Sequence, residues 1–262
     1  MCLNPCLPPK PTFRAAADPW ASFYAESVPA AEHPRWVTRE LSSDTWSDFV
    51  ALFSRGNGWD YCACMYFQRG GELPTSRFRT RAERRVQNQH DKCELVDQGR
   101  AHGILVYIDG ESIGWCQYGR VDELPLAERG RGRLPAAPAI QPDWRITCFV
   151  TDKRYRHIGV ARAALRTALG TIRRDGGGIV EAYPIAHWTR GKDSAEPFAE
   201  LVIDGAGPVV PARGTFGHVS TQGTVSMFLR EGFEAVGVVD GGSGQRVSGR
   251  PPESHVVMRR RL

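Results

Sequence analysis

The stretch from Trp144 to Ile185 constrains what this 262-residue chain can fold into more than any other. Trp144 to Val150 has the apolar run of a buried strand, and a short basic loop follows it. Val160, Ala161, Ala164, Leu165, Ala168, Leu169 and Ile172 then fall on one helical stripe, with Arg162, Arg166 and Arg173 on the opposite face. Asp175 and the glycines Gly176 to Gly178 stop the helix, and Ile179 to Ile185 reads as a further strand. A strand, a tight loop, a helix and a strand together make a parallel crossover.

The other segments arrange themselves around that unit. Residues 1–33, with Pro5, Pro8, Pro9 and Pro11 close together, read as a poorly ordered arm, part of which Trp20, Phe23 and Tyr24 would dock. Residues 34–262 read as a single domain. It starts with a short strand at Trp36-Val37-Thr38 and a helix from Thr45 to Phe53, for which Asp44 is placed to cap. Arg79 to Gln89 is a second, polar helix. Ile104 to Ile108 and Ser112 to Tyr118 flank Asp109-Gly110, a strong hairpin signal, so antiparallel strands join the parallel pair. The expected class is therefore α/β: a twisted mixed sheet flanked by helices. A proline-rich connection with Pro125, Pro135, Pro138 and Pro142 precedes Trp144. Residues 187–222 read as a long loop, one that length marks as functional. A short helix at Thr224 to Glu231 and strands at Phe233 to Val239 and His255 to Arg260 complete the domain, the last strand offering an edge for a homodimer.

Composition removes several classes of function. The longest apolar runs, such as Gly178 to Ile185, are far short of the ~20 residues that span a bilayer, so no membrane partner is expected. The net charge is +5, and only four of the 34 basic residues are lysines. Arginine suits phosphates and carboxylates, yet the charge is scattered, so no nucleic-acid partner is expected. Seven cysteines and no signal-peptide pattern point to the cytoplasm. Cys62-x-Cys64 lacks the spacing and the second ligand pair of a zinc site, so no metal is expected.

The chemistry concentrates between Val150 and Ala161, where a strand runs through a basic loop into the amphipathic helix with Arg156-x-x-Gly159-x-Ala161 at the junction. The unpaired N–H groups and positive dipole end of a helix N-terminus bind phosphate. Gly159 permits close backbone approach, and Arg154, Arg156 and His157 add charge or donors. No Gly-Lys-Ser/Thr follows, and the dinucleotide Gly-x-Gly-x-x-Gly pattern is absent. A plain basic loop before a structural helix would read the same way.

This junction resembles the acetyl-CoA loop of the GNAT superfamily of N-acetyltransferases, Arg/Gln-x-x-Gly-x-Gly/Ala, and the order of elements from Trp36 onward resembles that family's order. Gly114-Trp115 looks like its Gly-aromatic pair, and Ser226 to Phe233 looks like its Ala-Leu-Tyr-x-x-x-Gly-Phe segment. The resemblance implies a sheet with a splayed pair of parallel strands holding coenzyme A. The main chain at Arg156, His157, Ile158, Gly159, Val160 and Ala161 would take the pyrophosphate. Phe149, Val150 and Thr151 would pair with the pantetheine arm, with a backbone N–H facing the thioester oxygen.

The function this implies is transfer of the acetyl group of acetyl-CoA, as cosubstrate, to a primary amine of a small molecule in a ternary complex. An amine of pKa ~10 must lose a proton first, so a base is needed. Glu181, a carboxylate inside an apolar strand, is the first candidate, the other reading being a solvated strand position. Tyr183, two residues on, is the candidate for relay or leaving-group acid. The family's tyrosine falls at Phe228, which has no proton to give. Cys148 reads as a core residue rather than an acetylated nucleophile. Asp60 and Tyr61, in the region that commonly borders the acceptor, would suit a cationic amine. Two alternatives stand beside this reading: a non-catalytic coenzyme A sensor or scaffold of the same fold, and an acetyltransferase acting on protein amines.

Overall fold

Strand pairing in the computed structural model follows from where the turns and glycines fall. It describes residues 36–56, 60–69, 80–125, 141–188, 201–203, 207–211, 222–240 and 254–262. The arm 1–33, with Trp20, Phe23 and Tyr24, lies outside the described residues, as do Pro135, Pro138 and most of 187–222.

β1 (Val37–Glu40) leads through a 3-10 turn, Ser43–Thr45, into α1 (Trp46–Ser54). Asp44 is not the cap that the sequence suggested. The Ser42 N–H donates to Thr45 Oγ1 at 2.9 Å, so the turn precedes the helix and Thr45 takes the cap position. α2 (Arg81–Asp97) starts at a reciprocal cap, in which Glu83 N donates to Thr80 Oγ1 and Thr80 N donates to Glu83 Oε2, both at 3.1 Å. It runs eight residues past the expected end at Gln89. Its inner face is polar, with Asn88 and Lys92 buried, and apolar periodicity cannot register such a face.

β2 (His102–Ile108) and β3 (Glu111–Arg120) form the expected hairpin, with Asp109 and Gly110 both at positive φ as an Asp-Gly turn requires. β4 (Trp144–Thr151), α3 (Val160–Arg174) and β5 (Ile179–Ala182) make the crossover, β4 and β5 pairing in parallel. The expected strand 179–185 breaks at Tyr183-Pro184, and β6 (Ile185–Trp188) continues beyond the break. The segment read as a loop contains β7 (Leu201–Ile203) and β8 (Gly207–Pro211), with β8 paired to both β6 and β7. α4 (Val225–Arg230), β9 (Glu234–Asp240) and β10 (Ser254–Arg261) follow. β10 pairs with β5, β6 and β9, so it is interior and offers no free edge to a second copy, contrary to the sequence expectation. The result is a mixed sheet of ten described strands.

The apolar stripe of α3, with Val160, Ala164, Leu165, Ala168, Leu169 and Ile172 buried, packs on one face of this sheet against Ile104, Val106, Ile146 and Val180. The other face carries Leu105, Trp115, Cys148 and Val150, packed against Phe49, Leu52 and Phe53 of α1.

Two glycines set these distances. A Cβ on Gly103 would meet the Trp115 ring at 2.0 Å, and one on Gly114 would meet Val160 Cγ1 at 2.2 Å. Gly114 therefore lets the first residue of α3 sit directly on β3. Gly114→Ala is expected to destabilise the protein by about 1–3 kcal/mol through overpacking, seen as a lowered melting temperature. An unchanged melting curve would show that the contact yields freely and does not fix the helix.

Candidate active site

The pairing of β4 with β5 covers Trp144↔Val180, Arg145↔Glu181 and Ile146↔Ala182 and then stops. Beyond Ile146 the two strands part. The register of β4 against β3 shifts at the same place, with Tyr118 opposite Ile146 and Gln117 opposite Cys148, so Thr147 is an inserted residue. Asp152 N donates to Ile113 O across β3 at 2.9 Å. Counting back by strand alternation, the N–H groups of Phe149 and Thr151 face the parting and that of Val150 faces β3. The edge of β6 on this side, opposite β10, is taken by β8 through Ala186↔Pro211 and His187↔Val210.

The loop after β4 is held by charge. Asp152 accepts from Arg154 N at 3.0 Å, and Arg154 also reaches Glu111 at 2.6 Å. The Arg154 hydrogen bond holds the Asp152 carboxyl down at about 2. His157 takes a left-handed φ of 65°, and Gly159, the N-cap of α3, has φ 97°. No side chain caps this helix. The first intrahelical bond is Ala163 N to Gly159 O at 2.9 Å, so the preceding N–H groups of the first turn are available to a ligand. A Cβ on Gly159 would meet nothing within 4 Å. Its φ, not crowding, demands glycine, and the space over the first turn is open. Arg156 Nε is buried without a hydrogen-bond partner. An uncapped helix start under open space, beside an orphaned guanidinium donor, fits the pyrophosphate of coenzyme A.

Glu181 is fully buried, not at the solvated position that was its alternative. Arg259, opposite it on β10, donates through Nε to Glu181 Oε2 at 2.6 Å, and Arg145 is its neighbour on β4. The Tyr183 hydroxyl donates to Glu181 Oε1. Burial first, and then the Glu181 charge, push the Tyr183 phenol above its ordinary range, so it keeps its proton at neutral pH. Arg145 is buried and donates to Val121 O at 2.9 Å and Leu124 O at 3.0 Å. The sequence reading missed Arg145 and Arg259. The signal that exposed Glu181, a charge inside a buried strand, was equally present at Arg145.

Phe228 is fully buried, with its ring 6.0 Å from that of Phe149 and 5.0 Å from that of Phe233. It fills the core behind β4. Asp60 is engaged by Arg81, whose Nε donates to Oδ1 at 2.9 Å, and Arg85 lies 3.8 Å away. The Tyr61 ring lies under the guanidinium groups of Arg81 and Arg84, at 4.9 Å and 5.4 Å. The Asp60 charge is therefore already balanced within the chain.

Residues 60–189 match the family model for the acetyltransferase (GNAT) family. The chain carries an acetyltransferase domain of that family. No curated protein matches the sequence. Among solved structures, an N-acetyltransferase from Staphylococcus aureus Mu50 aligns with 9% identity over 87% of this chain and 98% of its own, at a TM-score of 0.46. A ribosomal-protein-alanine N-acetyltransferase from Brucella melitensis aligns with 13% identity over 86% and 99%, at 0.46. The PaiA N-acetyltransferase from Thermoplasma acidophilum in complex with coenzyme A aligns with 12% identity over 87% and 99%, at 0.42.

Proposed function

We propose that this protein moves the acetyl group of acetyl-CoA to the primary amine of a small molecule by direct attack in a ternary complex. The observation that carries the reading is the parting of β4 from β5 directly ahead of the uncapped N-terminus of α3. An extended pantetheine arm would pair with Phe149 to Thr151 as an added strand, and the pyrophosphate would meet the main chain from Arg156 to Ala161. A backbone N–H facing the parting would stabilise the charge that grows on the thioester oxygen, worth roughly 3–4 kcal/mol.

Glu181, paired with Arg259, accepts the proton of the attacking amine, directly or through water. Tyr183 plays a narrower part than a full acid. Its phenol stands above its ordinary range, whereas a thiol has a pKa near 8.5, so complete proton transfer to the leaving sulfur runs uphill. Its single proton orients Glu181 before the attack, and once Glu181 carries the amine proton the phenol can turn to hydrogen-bond the developing thiolate. Asp60 and Tyr61 would border the acceptor, but with Arg81 on Asp60 the attraction for a cationic amine is weak. The five described cysteines are all free, which suits a reducing cytoplasm.

A melting curve with and without acetyl-CoA tests the reading. Ligand at a hundred times its dissociation constant adds about 2.7 kcal/mol, a clear rise in midpoint. Amines that then release free thiol from acetyl-CoA identify an enzyme, and binding without turnover over a wide amine panel identifies the sensor instead. No shift with acetyl-CoA or coenzyme A would remove the function altogether.

A further inference from the structure

The opposite end of the Thr147 bulge holds chemistry that acetyl transfer does not use. The Cys64 and Cys148 sulfurs lie 3.0 Å apart in a shared hydrogen bond, although 84 residues separate them in sequence. Both are buried. Trp115 Nε1 donates to Cys64 Sγ at 3.2 Å, and Gln117 Nε2 donates to Cys64 O at 3.0 Å. Gln117 Oε1 in turn accepts from Thr147 at 3.1 Å, tying the segment 60–69 to the bulge of β4. Lys92, with no exposed surface, rests with Nζ 5.8 Å from the Trp115 ring centre and donates to Gln68 at 2.6 Å.

We propose that Cys64 and Cys148 are a redox-active dithiol, oxidised by a peroxide to a reversible disulfide that joins the segment 60–69 to β4. An ammonium and an indole N–H around one sulfur favour its thiolate, and a second thiol in contact is placed to resolve it. Burial alone would raise the Cys64 thiol, yet the Cys148 hydrogen bond, the Lys92 ammonium and the Trp115 indole bring it below its ordinary value. Burial pushes Cys62 up to about 11, and Cys116 and Cys93 are also raised. Cys64 is thus singled out among the described cysteines. Ala63 and Cys64 adopt left-handed φ values of 45° and 50°, a strained backbone that presents the sulfur to β4.

The chemistry balances. The Cys64 thiolate attacks one peroxide oxygen, the O–O bond breaks, and hydroxide leaves to take up a proton. The Cys148 sulfur then attacks the Cys64 sulfenic acid, the S–O bond breaks, and the thiol proton leaves with the oxygen as water. The two sulfurs lose two electrons, which the peroxide gains.

The test treats the full chain with hydrogen peroxide, blocks remaining thiols and maps the peptides. The expected result is a Cys64–Cys148 linked peptide, two hydrogens lighter than the sum of its two reduced parts, restored by dithiothreitol. Cys148→Ser should stop the reaction at a Cys64 sulfenic acid that dimedone traps. Lys92→Met should slow formation of the bridge at neutral pH by roughly tenfold, the thiolate fraction lost per unit rise in pKa. Trp115→Phe, which removes the indole donor alone, serves if Lys92→Met does not fold. Oxidation confined to Cys62 or Cys93, or bridge formation at an unchanged rate in the folded variant, would overturn the proposal. Acetyl transfer enters none of these readouts, so failure here leaves the proposed function standing, and the reverse holds too.

Discussion

Gly159→Glu is expected to remove acetyl-CoA binding while the protein stays folded. A side chain at φ 97° is strained, by about 1–2 kcal/mol, but a Cβ there meets no protein atom within 4 Å, so the core is untouched. The new carboxylate would stand over the first turn of α3, where the N–H groups and dipole otherwise face an anion. Affinity should fall by about a hundredfold or more, with the ligand-free melting temperature only slightly lowered. Gly159→Ala separates the two effects, since it introduces the strain without the charge and should weaken binding far less. Undiminished binding in the glutamate variant would place the pyrophosphate elsewhere.

The second large effect concerns Glu181, and the structure changes how it must be tested. Glu181→Gln alone takes the counter-charge from Arg259, whose side chain is only 10% exposed, at a cost of up to about 3–5 kcal/mol, so a lost activity would say nothing about catalysis. Glu181→Gln combined with Arg259→Gln removes both charges and should recover most of that stability. With Glu181 as the base, turnover in the folded double variant stays down by roughly 10²- to 10⁴-fold while acetyl-CoA binding is kept. Recovery of the rate along with the stability would make Glu181 a structural residue.

What the sequence revealed and what it hid divide along physical lines. The crossover from Trp144 to Ala182 was legible because its helix buries one continuous stripe and its turns carry glycine. The uncapped helix start at Gly159, the proposed cofactor loop, was legible because main chain and a helix end are local in sequence. The second half of α2 was not, because Asn88 and Lys92 make its buried face polar. β7 and β8 were not, because strands of three and five residues holding Gly207, Pro208 and Pro211 carry no apolar alternation. The interior place of β10 and the partners of Glu181 arise from cross-strand register, which no local pattern encodes. The pairing of Asp60 was hidden for a related reason: its partner Arg81 is brought to it by the start of α2.

The burial of Glu181 between two strands also bears on how the chain reaches its native state. Arg145 comes to its side through a crossover of 36 residues, whereas Arg259 arrives from 78 residues away. The logarithmic loop-closure cost rises only from about 3 to about 4 kcal/mol between the two, so final stability scarcely registers the difference. Folding speed does, because non-local strand pairing slows the search. Until β10 docks, the Glu181 carboxylate lacks the Arg259 guanidinium that pairs with it in the folded chain. Assembly of the Glu181–Arg259 pair thus waits on a strand pairing across 78 residues rather than on the local unit that contains the carboxylate.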